Sequence, residues 1–436
     1  MKSIPVVGTI GAYERDNFGD LLFLERTRAF LVGAELEPLT LSLFRGVPEQ
    51  LTSQPTPAFI DAVNDSMLDV IWVVGGEVGG VLVHAAYKML DPQSQDTAFF
   101  RSNRFARRKI IRARSGLEVT DFAYLPRPSR YQNLYAAPFI INSSGLSGIA
   151  KLRGDVRAEA IGSLHDADFV SVREHASSHL LTELGVKHQL APDLVHTLRF
   201  DYPEFVNRDF RNEARARRVA VVQMSAATLG SAGVDELVAF LGTSGALKGY
   251  ELRMLAAGLA PSHDSLELYK SVVAGVNRDY PTVSIAISSA NSAMDKVREI
   301  ASSSIMIGTS LHAMIVSMAF DVPHVGLYLE KVGRYARTWD DRMPTEVALA
   351  DANAAVEFAL ASELGAVSSG LGEDLAKQAQ SNMEAAIAVA RAGDSEEAKR
   401  SRTLDREARG LRLMRESKAP SRRVSMLLRS IIRPLS

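Results

Sequence analysis

The strongest constraint on the fold of this chain is a rhythm that occurs twice: short apolar, β-rich runs alternate with longer helical patterns, as in a mostly parallel sheet covered by helices. The first series opens with a strand at Ile4–Ile10 and a helix from about Asp20 to Val32, whose apolar positions include Leu21, Leu24, Ala29 and Leu31. Further strands are expected at Leu36–Leu43, Val70–Val74, Phe139–Asn142 and Phe169–Val172, with helices near Ala158–His165 and His175–Leu184. After a charged connector, Arg208–Arg218, strands at Val219–Met224, Leu252–Ala256, Val283–Ile287, Ile305–Ile307 and Val325–Leu327 alternate with helices at Val234–Leu241, Ser265–Val276, Ser292–Ala301 and Leu311–Phe320. The fold class is therefore α/β with two Rossmann-like lobes. The first spans 1–207 and carries an Arg- and aromatic-rich insertion at 91–135; the second spans 208–372. A helical basic tail, 373–436, follows. Ligands in such sheets sit beyond the carboxyl ends of the strands, and a cleft between the lobes is the expected place. No sequence repeat accompanies the duplicated architecture.

Composition narrows the function. The chain has 436 residues, enough for two or three domains. Fifty Lys and Arg balance 51 Asp and Glu, which argues against a general nucleic-acid-binding protein. With no cysteine, disulfides, thiolate zinc sites, iron–sulfur clusters and a Cys nucleophile are excluded. The N-terminal apolar run breaks at glycines and turns charged, so it reads as a first buried strand rather than a signal peptide. No charge-free run of about 18 apolar residues occurs, and a cytoplasmic protein is expected.

Five motifs carry the chemistry. Asp16-Asn17-Phe18-Gly19-Asp20 stands between the first strand and its helix, where Gly19 permits a tight turn and the helix N-terminus favours an anion or polar ligand; Asp20 as a simple helix cap is the alternative. Gly75-Gly76-Glu77-Val78-Gly79-Gly80 follows a strand and leaves room at a ligand site, but its spacing is not the dinucleotide fingerprint. Arg173 stands just past the strand Phe169–Val172; its planar fork suits a carboxylate or phosphate, while Glu174 or Asp193 are structural partners open to it. In Gly308-Thr309-Ser310-Leu311-His312, small residues turn a strand into a helix whose first turn carries His312, beside free N–H groups that bind anions and at a place suited to proton transfer. Beyond the next strand, Lys331 and Arg334 add positive charge, or lie on a solvated helix face. The other histidines, among them His84, His165, His175, His179 and His188, show no metal-ligand spacing, and no metal is expected.

In this order the motifs resemble the polysaccharide pyruvyl transferase family. The shared pattern is Asn17-Phe18-Gly19-Asp20, Gly75-Gly76, Asn142-Ser143-Ser144-Gly145, Ser171–Glu174, Ala191–Asp193, Ser310–Ala313, and Pro323 to Lys331. It covers roughly residues 1–340 and leaves the tail outside. The resemblance implies a GT-B-like fold and a transferase that moves pyruvate from phosphoenolpyruvate, a co-substrate, to two hydroxyls of a sugar residue in an exopolysaccharide or cell-surface glycan precursor, forming a cyclic ketal with no resident cofactor. It implies His312 as acid/base, with Asp20 orienting or deprotonating the acceptor. Arg173, Ser310, Leu311, Lys331 and Arg334 face the donor; Asn17, Gly19, Gly75, Gly76 and Glu77 face the acceptor. One departure matters: many members carry Arg where this chain has Ser310, so a cation at the donor is missing there; either Lys331 or Arg334 compensates, or the donor is bound differently in this branch, or activity is reduced.

Two other readings stay open: a nucleotide-sugar glycosyltransferase of the same shape, with Arg173 and Lys331 on a diphosphate, and a degenerate, non-catalytic glycan-binding member. In Leu411–Ser436, seven Lys and Arg face one acidic residue, Glu416. Pro420 divides this stretch, and Val424–Ile432 has the character of an amphipathic helix. It is expected either to meet anionic lipid on the inner membrane leaflet, near a lipid-linked oligosaccharide acceptor, or to form a disordered or packed basic end.

Overall fold

The computed structural model describes residues 4–90, 92–261, 263–366 and 370–416. These divide into two compact units, one from Met1–Arg15, Phe23–Ala191 and Ser381–Ser436, the other from Asp16–Leu22 and Pro192–Gln380. Each is built on one wholly parallel sheet, as the alternating pattern predicts. Among the described residues no helix is long and apolar enough to cross a membrane.

The first unit's sheet runs β2 (Glu37–Leu41), β1 (Val6–Ile10), β3 (Val70–Glu77), β4 (Phe139–Gly145), β5 (Phe169–Val172), β6 (Gln189–Leu190). Chain order reverses between β1 and β3, so the carboxyl ends of these two strands flank the crevice where doubly wound sheets place ligands. Strands covered on both faces become unbroken apolar runs, and Ile71, Trp72, Val73, Ile140 and Ile141 are all buried. The insertion belongs to this core: Phe99, Ile111, Leu117, Tyr131 and Leu134 pack into it, and Ile111 comes from a helix at Arg104–Ser115.

The second unit's sheet runs β11 (His324–Gly326), β10 (Ile305–Gly308), β7 (Val219–Gln223), β8 (Glu251–Met254), β9 (Ser284–Ile287). Its reversal lies between β7 and β10. Among the described residues four helices opening at this end have serine side-chain caps, Ser225, Ser265, Ser292 and Ser310. Ser292 caps Ala293–Ala301 in a reciprocal box with Asp295, and Ser310 caps Leu311–Ala319 by accepting from the Ala313 N–H at 3.3 Å.

Several elements differ from expectation. β3 does not stop at Val74; it continues to Glu77, with Gly76 opposite Ser144 and Glu77 opposite Gly145. Gly75 and Gly76 take positive φ (40° and 79°), so these glycines shape a bent strand end rather than a loop. The connector at 208–218 is the helix Arg208–Arg217, started by Asn207, whose side chain accepts from Asp209. Its Arg211 is buried and donates to the Ala301 and Ser303 carbonyls at 2.6 and 3.2 Å. The change of unit falls at Ala191–Pro192 rather than after 207, because the segment beyond it packs on the second unit: Arg199 pairs with Asp321 at 2.7 Å.

The described part of the tail is two helices, Leu371–Ala392 and Glu396–Glu416. The second is tied to the first unit by Arg406, which is buried. Its guanidinium donates to the Leu134 and Asp166 carbonyls at 2.9 and 2.8 Å and pairs with Asp168 at 2.9 Å. The stretch Val424–Ile432 lies outside the described residues.

Candidate functional site

In the second unit a side-chain network spans the sheet's reversal. Gly308 ends β10 against β7 so closely that a Cβ there would lie 2.4 Å from the Gln223 carbonyl oxygen. Gln223 Oε1 accepts from Thr309 N and Oγ1 at 3.0 and 3.2 Å, and its Nε2 donates to Asp264 Oδ1 at 2.7 Å. Asp264 Oδ2 accepts from the Ala257 N–H at 2.6 Å. The ends of β7 and β10 and the loop after β8 are thus locked together. Burial pushes the Asp264 carboxyl up to about 6 despite these donors.

Onto this frame packs the segment Asp16–Leu22. Phe18 N donates to the Ala257 carbonyl at 3.0 Å, and the Asp16 carbonyl accepts from Ala260 N at 3.2 Å. Asp16 Oδ2 accepts from Leu259 N at 2.9 Å. Asn17 is a hub. Its Oδ1 accepts from Gly19 N at 3.3 Å, its Nδ2 donates to Asp20 Oδ2 at 2.9 Å, and the same amide lies 3.4 Å from His263 Nε2. With the Asn17 amide donating, His263 Nε2 is the acceptor, and Nδ1 carries the proton toward the Pro261 carbonyl at 3.3 Å.

His312 is the second residue of the helix Leu311–Ala319 and is buried. Its ring meets Phe18 edge-on, with centroids 6.4 Å apart, and rests on Gly19. Nε2 lies 3.9 Å from Oδ2 of Asp193, which is fully buried. Asp193 is itself fixed: Oδ1 accepts from Val195 N at 3.0 Å, and its own N–H donates to Tyr335 Oη at 3.0 Å. Tyr335 Oη is also 2.9 Å from His196 Nε2, an imidazole whose pKa burial pushes down to about 3, so it stays neutral. The arrangement is an imidazole with a buried carboxylate 3.9 Å behind it, beside the N–H groups of a helix start, a combination chemically suited to proton transfer next to an anion.

The structure gathers His312, Asp20, Asn17, Gly19, Ser310 and Leu311 in this unit. Lys331 and Arg334 also belong to it, on the helix Glu330–Trp339; Lys331 is exposed, and Arg334 is 3.5 Å from Glu330. Among the described residues no group of three or more His, Cys, Asp or Glu is placed to hold a metal ion.

Arg173, Gly75, Gly76 and Glu77 belong to the first unit. Arg173 is buried with its guanidinium 5.7 Å from the centroid of Phe23, and a Cβ on Gly75 would lie 2.3 Å from that same ring. Gly75 therefore makes room for the aromatic ring on which Arg173 rests. Glu77 Oε1 is 3.4 Å from Gly148 N. Next to them, Asn142 Oδ1 accepts from Ser171 Oγ at 3.1 Å and from Asn382 Nδ2 at 2.7 Å, the latter from the helix Leu371–Ala392.

Sequence reasoning missed four groups here: His263, the approach of Asp193 to His312, Lys296, and Glu14. Glu14 is a buried carboxyl beyond the end of β1. Its Oε1 accepts from Leu43 N and, at 3.1 Å, from Ser42 Oγ, while Oε2 has no hydrogen-bond partner among the described residues. Burial raises its pKa to about 7.

The sequence profile of the polysaccharide pyruvyl transferase family matches residues 17–330. A comparison with curated proteins returns no match. Among solved structures, HepE of Anabaena in complex with UDP and glucose is similar over 88% of this chain and 98% of its own, at 9% identity and a TM-score of 0.46. The UDP-GlcNAc 2-epimerase of Methanocaldococcus jannaschii, with UDP-GlcNAc and UDP, is similar over 81% of this chain and 92% of its own, at 8% identity and 0.47. The Neisseria meningitidis UDP-GlcNAc 2-epimerase, bound to UDP-GlcNAc, covers 88% and 98% at 10% identity and 0.44.

Proposed function

The chain belongs to the polysaccharide pyruvyl transferase family and so to a family of transferases, and on that premise we propose that it moves the pyruvyl group of phosphoenolpyruvate onto two hydroxyls of one sugar residue in a glycan precursor, closing a cyclic ketal. The observation that carries this reading is His312 seated on Gly19 with buried Asp193 behind it.

The chemistry demands a proton at the donor's methylene carbon, which becomes a methyl group as the neighbouring carbon turns oxocarbenium-like. One sugar hydroxyl adds to that carbon, inorganic phosphate leaves, and the second hydroxyl closes the ring. Of the two hydroxyl protons, one balances the proton gained by the methyl carbon and the other leaves with phosphate. His312 is the group for these proton movements, since an imidazole exchanges protons near neutral pH. Asp193, buried and 3.9 Å from Nε2, charge-balances the imidazole when it is protonated. The N–H groups at the start of the helix Leu311–Ala319 stabilise the donor's negative charge. Asp20, held by Asn17, takes the acceptor hydroxyl. Arg173 is assigned the donor's carboxylate or phosphate because its planar fork suits either.

The test is incubation of the protein with phosphoenolpyruvate and lipid-linked oligosaccharides, followed by mass spectrometry for the pyruvate ketal and assay of released phosphate. Ketal formed with stoichiometric phosphate supports the proposal. If a nucleotide sugar raises the melting temperature, phosphoenolpyruvate does not and no ketal forms, glycosyl transfer replaces it.

A further inference from the structure

Lys296 is the fourth residue of the helix Ala293–Ala301, which begins just after the carboxyl end of β9. This places it at the ligand-binding end of the second unit's sheet. Its residue exposure is only 4%. An ammonium drawn toward the protein interior has three donors to satisfy and favours an anionic partner. Among the described residues the one ion-pair partner of Lys296 is Asp16 Oδ1 at 3.8 Å, too far for a hydrogen bond. Asp16 is itself engaged elsewhere, through Oδ2 to Leu259 N at 2.9 Å. Among the described residues Lys296 Nζ makes no hydrogen bond, and it is not among the polar atoms sealed from solvent, so on a buried stem the ammonium beside the Asp16–Asp20 segment keeps its donors open to a ligand.

We propose that Lys296 is an anion-binding residue whose ammonium takes an oxyanion of the substrate, phosphate or carboxylate, at the carboxyl end of the second sheet. The naming of that anion as part of phosphoenolpyruvate rests on the function proposed above; the site itself rests on the geometry. It also answers the absence of a cation at Ser310. Lys331 is exposed on its helix and Arg334 lies beside Glu330, whereas Lys296 is buried at the sheet end that also carries Asn17, Asp20 and His312.

Calorimetric titration of the full chain with phosphoenolpyruvate, inorganic phosphate and pyruvate tests this and separates the two oxyanions. Lys296→Met keeps the length of the stem and removes the charge. It should weaken phosphoenolpyruvate at least about tenfold, with the same loss for whichever of phosphate or pyruvate the ammonium holds. Asp16→Asn keeps an acceptor for Leu259 N while removing the competing negative charge, and should tighten the same anion severalfold. A folded Lys296→Met protein that binds all three as the wild type does overturns the inference and leaves the donor reading standing. If Lys296→Met does not fold, Asp16→Asn decides: unchanged or weaker anion binding makes Lys296 and Asp16 a structural pair. Lys296-dependent phosphate binding without any affinity for phosphoenolpyruvate keeps the site and removes the donor reading. A wild-type protein that binds none of the three removes both.

Discussion

Gly19 lies so close to His312 that a Cβ added to the glycine would stand 1.8 Å from the imidazole Nδ1. No rotation of the glycine backbone is involved, since Gly19 sits in an ordinary helical turn at the start of Phe18–Gly33. What the position demands is the missing side chain. The ring of the proposed acid/base rests on the bare backbone of the Asn17-Phe18-Gly19-Asp20 turn, so the turn that holds Asp20 also sets the height of His312.

Gly19→Ala therefore separates catalysis from stability. Alanine is the better helix former by about 1 kcal/mol, so helix propensity alone favours the variant. The methyl must still displace the imidazole, and a displacement of about 1 Å at a reacting group costs on the order of a hundredfold in rate. We expect kcat to fall about a hundredfold with a melting temperature near that of the wild type. Normal turnover would show that the ring's seat on Gly19 has no catalytic consequence.

His312→Gln and Asp193→Asn should fail in different ways. Glutamine cannot exchange a proton near neutral pH, and transfer should be lost while phosphoenolpyruvate still binds. The asparagine of the second variant keeps an acceptor for Val195 N but loses the charge behind the imidazole. Its kcat should drop about a hundredfold or more, with KM for the donor changed little. Steady-state kinetics paired with donor titration reads both. If Asp193→Asn changes only stability, the 3.9 Å approach to His312 is structural.

Arg173→Ala should weaken phosphoenolpyruvate by roughly tenfold or more and the glycan acceptor much less, because a charge-assisted pair is worth about 1.5–3 kcal/mol. The variant also uncovers Phe23, so a lower melting temperature is expected alongside. Arg173→Lys keeps charge but not the fork, and should recover only part of the affinity. Unchanged donor binding in both would make Arg173 a packing residue on Phe23.

What is legible before the structure follows from range. Buried parallel strands are continuous apolar runs, so the sequence places Phe169–Val172 to the residue, and the start of Leu311–Ala319 is visible in Ser310 as a cap. The end of β3 is hidden because Gly75 and Gly76 resemble a turn, and only their pairing beside β4 shows that the strand carries on. The site's residue types are legible at Asn17, Asp20 and His312, where glycine and helix starts leave local marks. Asn17 and His263 meet across 246 residues, a contact with no local pattern. Lys296 and Arg406 look like solvated helix charges in the sequence, and only their burial shows otherwise.

Glu14 gives a prediction that needs no substrate. Its carboxyl is raised from the usual 4.5 to about 7, first by burial, against the donors Leu43 N and Ser42 Oγ. Between these values the folded protein holds a proton that the unfolded chain has released. Stability from this group is complete below about 4.5 and is lost as pH rises through 7, by up to about 3 kcal/mol. Glu14→Gln is neutral at every pH and keeps an acceptor for Leu43 N, so it should lack this fall. Asp264, raised to about 6, slopes the same way in both proteins and cancels from their difference. Urea unfolding from about pH 4.5 to 8 should therefore give two stability curves whose separation moves in favour of the Gln variant as pH rises and levels off above about 7.5. Curves that stay parallel across this range would mean that Glu14 ionises normally, with water reaching the carboxyl oxygen that has no protein donor.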